Sequence, residues 1–91
     1  MLAHVSPSPI VELNRAVAAG MAYGPARGLE LADALIGEPS LAGYPLLPAV
    51  RGDLLARLGR HEEARRAFEQ AASMTRNARE RAVFTAKAQA S

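Results

Sequence analysis

Two histidines, His4 and His61, are the side chains in this sequence best suited to hold a metal or move a proton. His61-Glu62-Glu63-Ala64-Arg65 opens like the metal-binding helix of a zinc protease. That chemistry needs a second imidazole four residues on, so that both rings meet the ion from one side of the helix. Position 65 is Arg, so an ion here would have a single imidazole. Glu62-Glu63 is read more simply as the first turn of a helix, where negative charge opposes the helix dipole. The glycines stand alone rather than in a phosphate-cradling loop, and the acids are dispersed. With no cysteine, there is no thiolate nucleophile, disulfide framework or Cys-based zinc site. The expectation is a chain without catalytic residues, metal or cofactor: not an enzyme.

What remains is architecture. The 91 residues suffice for one small domain. Apolar residues make up 49% and aromatics only 4%, so alanine and leucine, both strong helix formers, supply most of the apolar surface. This composition predicts an all-α fold. No apolar run approaches the 18 residues of a membrane span, and MLAHVSPSP lacks the basic and apolar regions of a signal peptide. The formal charge of +2 divides unevenly, −2 over residues 1–45 and +4 over 46–91. The late arginines (Arg57, Arg60, Arg65, Arg66, Arg76, Arg79 and Arg81) read as a solvated helix face, with non-specific nucleic-acid contact as the competing reading.

Residues 1–8 are expected to be a flexible segment and 9–90 a single domain. Ser8 can cap a first helix with Pro9 in its first turn. Ile10, Leu13, Val17 and Met21 then recur at helical spacing. Gly24-Pro25 breaks this helix, and a second reaches about Ile36 with Leu29, Ala32, Leu35 and Ile36 as its apolar side. SLAGYP is a connector in which Tyr44 serves as anchor. A third helix begins at Pro45 or Pro48 and carries Leu47, Val50, Leu54 and Leu58, with Leu55 alongside. Gly59 suits a left-handed C-terminal cap. A fourth helix runs from His61 to Thr75 with a stripe of Ala64, Phe68, Ala71 and Ala72. A fifth, 77–90, is thinly apolar with Val83 and Phe84. Two hairpins (9–36 and 45–75) and a capping helix result, with neighbours antiparallel.

A shift of 36 residues superposes the hairpins: Ala16 on Gly52, Gly28 on Ala64, Ala32 on Phe68, Leu35 on Ala71. The second unit resembles a tetratricopeptide repeat (TPR) through Gly52, Gly59, Ala64, Phe68 and Ala71. It departs from that pattern at Pro48, Leu55 and Arg76. The first unit shares only its small residues. Ala16, Gly52, Gly59, Ala64, Phe68 and Ala71 are therefore the expected helix-packing signature of a short TPR-like α-solenoid.

PIVELNRAVA (9–18) and LAGYPLLP (41–48) are more particular than this degenerate pattern. With GRHEEARRAF and TRNARERAVF, they make residues 6–85 resemble the C-terminal TPR-like extension of a group of bacterial extracytoplasmic-function (ECF) RNA polymerase sigma factors. The resemblance implies a bacterial cytoplasmic interaction domain that modulates transcription initiation. Its partners would be the sigma core regions of the same protein or RNA polymerase. It also implies a piece of a longer protein, since 91 residues leave no room for promoter-opening and promoter-reading regions, and no sequence-specific DNA binding by this piece. A stand-alone scaffold or adaptor for a separate peptide is the alternative. TPR folds bind peptides on the face lined by the first helix of each hairpin, which the alignment maps to Leu13, Val17, Ala49 and Asp53. None is a cation, so a carboxylate clamp is not expected there, and an apolar or basic segment is. Asn14 is expected to be buried and bonded to a backbone carbonyl. An uncovered first helix would also let the isolated chain form a homodimer.

Overall fold

A computed structural model describes residues 9–91, so the expectations for residues 1–8, including the Ser8 cap and His4, lie outside the described residues. The fold is all-α: α1 Pro9–Tyr23, α2 Pro25–Asp33, α3 Leu46–Arg57, α4 His61–Met74 and α5 Ala78–Ala90, with a 3-10 turn at Pro39–Leu41. Each helix packs on its neighbour in the chain, α1 on α2, α2 on α3, α3 on α4 and α4 on α5. This is the layering of stacked TPR-like hairpins. The 36-residue shift holds at the helix starts: Gly24 and Arg60 are N-caps, and Pro25 and His61 the first helical residues.

α3 sits at the centre. Leu47, Pro48, Ala49, Gly52, Leu54 and Leu55 are buried over most of its circumference, which leaves only the narrow face of Leu46, Asp53 and Arg57 exposed. Leu55, expected beside the stripe, is instead its most enclosed large side chain at 1% exposure. Leu13, Ala16, Leu29, Ala32, Leu41, Ala64, Phe68 and Ala88 complete the main core, against which Tyr44 packs as the connector's anchor. Phe84 joins Ala49 and Ala71 in a second cluster that fastens α5, while Val83 is exposed.

Small residues set how closely the helices approach. A Cβ on Gly28 would lie 2.8 Å from the Gly20 Cα and 2.9 Å from the Ala16 carbonyl oxygen, so α1 and α2 cross backbone to backbone. A Cβ on Gly52 would lie 2.8 Å from the Phe68 ring, so α3 and α4 cross with an aromatic between them. The α3–α4 turn closes as expected on Gly59, at φ 78°. The Arg60 amide donates to the Leu55 carbonyl (2.9 Å) and the Gly59 amide to that of Ala56 (3.0 Å), the paired bonds that satisfy a helix C-terminus.

Two sequence expectations are corrected. α2 ends at Asp33 rather than Ile36. The chain leaves it through tight turns, Leu35 amide to Ala32 carbonyl and Ile36 amide to Asp33 carbonyl, that leave Ile36 exposed. On α1, the buried residues are Leu13, Ala16, Ala19 and Gly20, while Ile10, Val17 and Met21 are exposed. Alanine and glycine were chosen by the crossing itself, and the larger apolar residues were displaced to an adjacent strip.

Candidate functional site

α4 opens with the His-Glu-Glu run, and ion pairing dominates its surroundings. His61 is exposed. Arg60 clasps Glu63 with both arms, Nε to Oε1 at 2.8 Å and Nη2 to Oε2 at 2.7 Å. These bonds, above all, hold the Glu63 carboxyl below its ordinary range and raise the Arg60 guanidinium. Arg65 donates to Glu62 and, at 3.4 Å, to Glu69, and its own pKa is raised chiefly by Glu62. Among the described residues, no three His, Asp or Glu side chains gather as a metal site. The first turn of α4 is a set of exposed ion pairs.

The α4–α5 junction is also capped. The Asn77 carboxamide oxygen accepts from the Arg79 and Glu80 amides at 2.8 and 3.0 Å. Buried Thr75 donates its hydroxyl to Glu80 at 2.6 Å, and Arg81 reaches back to the Thr75 carbonyl at 3.0 Å. Four of the seven late arginines, Arg60, Arg65, Arg66 and Arg81, are thus held by local partners, which breaks up the basic face a nucleic-acid backbone would meet.

Of the helix-packing signature, Ala16, Gly52, Ala64, Phe68 and Ala71 are all buried at the helix crossings, and Gly59 stands at the turn. The face expected to meet a partner is rotated from its predicted position. Leu13 (3% exposed) and Ala49 (7%) point into the core and present no surface, which corrects that assignment. Val17 and Asp53 do reach the surface. They share a shallow notch between α1 and α3 with Met21, Val50, Leu54 and Arg57. Asn14 is exposed on α1 rather than buried.

The notch belongs to a larger pattern. Among the described residues, the exposed large apolar side chains are Ile10, Val11, Val17, Met21 and Tyr23 on α1, Ile36 in the connector, Leu46 on α3 and Val83 on α5. α2 and α4 expose none. α5 is tied to the same side of α3 by Lys87, whose ammonium lies 3.2 Å from Asp53 and 5.6 Å from the Phe68 ring centroid. A groove of about 500 Å³ opens between α4 and α5, floored by Ala72, Ser73, Thr85 and Ala88. Large exposed apolar patches on a small domain mark interaction surfaces. The repeat alignment names Val17 and Asp53 of this notch but not Met21, Val50 or Arg57, because it carries over only the pattern's own positions. The signal that could have found them was the unneeded second apolar strip on α1.

Among the described residues, no helix is long and apolar enough to cross a membrane. No family model matches the chain, and no solved structure matches it. An uncharacterized protein of Rhizobium meliloti (strain 1021) is 46% identical over 81 residues, which is 89% of this chain; the chain spans 19% of that protein's length.

Proposed function

We propose that this chain is a non-catalytic protein–protein interaction domain, the TPR-like C-terminal extension of an ECF-type sigma factor. It modulates transcription initiation in the bacterial cytoplasm by contacting its own sigma core regions or RNA polymerase. The observation that carries the interaction reading is the distribution of exposed large apolar side chains: among the described residues five lie on α1, one on α3 and one on α5, with none on α2 and α4. The sigma-factor part rests on the resemblance of 9–18 and 41–48. It agrees with a relative in which the matched stretch is a minor part of a longer chain.

Deleting residues 46–91 from the full-length protein tests this. Transcription in vitro from a cognate promoter should change, and unchanged transcription together with unchanged polymerase affinity would overturn the proposal. A stand-alone adaptor would use the same helices, and a native gene encoding only these residues would favour that reading.

A further inference from the structure

The charges on this chain are unequally spent. Each of its nine carboxylates lies among the described residues and already holds a partner. Eight are met by a cation or a hydroxyl across or along the helices: Glu12, Glu30, Asp33, Asp53, Glu62, Glu63 and Glu69 by Arg or Lys, and Glu80 by Thr75. The ninth, Glu38, accepts from the Ser40 hydroxyl and amide, which hold its pKa down. Among the described residues, the cations left without a carboxylate or carbonyl partner are Arg57, Arg76 and Arg79. Only Arg57 lines the notch between α1 and α3.

The notch therefore pairs an apolar floor with one unanswered positive charge. Val17 and Met21 are one helical turn apart on α1 and face Val50 and Leu54 on α3. The single acid there, Asp53, is neutralised by Lys87 from α5. This inverts the expectation that a segment bound here would be apolar or basic: a basic group would find no free carboxylate, and an acidic one would find Arg57.

We infer that this face receives an amphipathic, acidic helix of a partner protein. An aliphatic side chain seats among Val17, Met21, Val50 and Leu54, and a carboxylate one turn away meets Arg57. The inference rests on the interaction-domain reading above and names the chemistry of its partner. Helix-in-groove recognition takes its anchors from one face of the bound helix, and charge at the rim selects among partners.

The test uses the 91-residue chain and two fluorescein-labelled helical peptides of about 20 residues, long enough to hold helix in water. Both carry the same leucine stripe; one has Glu at its polar positions and the other Lys. Anisotropy titrations should show the Glu peptide binding, with affinity falling as salt is raised. Arg57→Glu and Met21→Glu should each weaken it by about tenfold. The Lys peptide should bind the native chain more weakly and gain on Arg57→Glu, a reversal that a purely structural role of Arg57 at the end of α3 would not produce. Both altered side chains are exposed, and helical circular dichroism checks that each variant folds. Binding of neither peptide, equal or better binding of the Lys peptide, or indifference to Arg57→Glu would overturn the inference. The deletion experiment in the full-length protein would still decide the broader reading by itself.

Discussion

The two hairpins occupy the same 36-residue frame and solve the same problem by opposite means. In α1–α2, the crossing is glycine against glycine, with Gly28 seated on the backbone of Gly20 and Ala16. In α3–α4, it is glycine against a ring, with Gly52 leaving the space that Phe68 fills. Position 32, equivalent to Phe68, is a fully buried alanine, so the first pair has no filler and closes until the backbones touch. One hairpin is therefore built on the absence of side chains and the other on the presence of one. The first should fail by being pushed apart and the second by being hollowed out.

The largest effect expected is from the second kind of failure. Phe68→Ala removes a ring that is 2% exposed and should cost about 3–5 kcal/mol in denaturant melts, as large aromatic truncations in cores do. If it costs less than Leu55→Ala, the ring is not the keystone of α3–α4. Next comes the first kind. Gly28→Ala should destabilise by about 2 kcal/mol, because overpacking against backbone outweighs the roughly 1 kcal/mol that alanine gains in helix propensity. Gly52→Ala meets a side chain rather than backbone, and should cost about half as much. Equal costs for the two glycines would break the comparison.

The turns repeat the contrast on a smaller scale. Gly24 stands at φ 104°, ψ 158°, a region open essentially to glycine alone. Gly59, at φ 78°, makes the paired cap bonds. Gly24→Ala should therefore lose about 2 kcal/mol and Gly59→Ala about 1 kcal/mol, by the strain of each conformation for an L-residue.

The smallest effect is electrostatic. Glu63 is lowered in the folded state, chiefly by the hydrogen bonds from Arg60. A depressed carboxyl contributes stability that is fully present above its unfolded pKa and lost as pH falls through its folded one. Glu63→Gln should flatten the acid side of the stability–pH curve slightly and leave neutral stability nearly unchanged, since an exposed pair of this kind contributes little.

Much of this was legible from residue types. Gly59 announced its turn because a left-handed cap needs glycine, and Ala64, Phe68 and Ala71 announced their crossing because small residues flank one large one. The α1 stripe was misread for a physical reason. Hydropathy weights Ile10, Val17 and Met21 heavily, while the true contact residues Ala16, Ala19 and Gly20 are nearly silent on that scale. The expected partner face fell partly on Leu13 and Ala49 because it was carried over from the repeat alignment, which does not register that both turn into the core here. On α5, Ala88 is buried and Val83 is not. The end of α2 at Asp33 was hidden because Ala34 and Leu35 are good helix formers, while the stop is made by turns feeding the 3-10 segment.

The proposed function makes the α1–α3–α5 side the working surface and leaves the α2–α4 side without a partner. The most direct test is transcription in vitro by the full-length protein carrying Val17→Glu and Met21→Glu, beside the protein carrying Arg66→Glu on the exposed side of α4. The paired α1 change should shift transcription in the same direction as deleting residues 46–91, and the α4 change should not. If the α1 change leaves transcription at the native level, or the α4 change reproduces the deletion, the claim is contradicted.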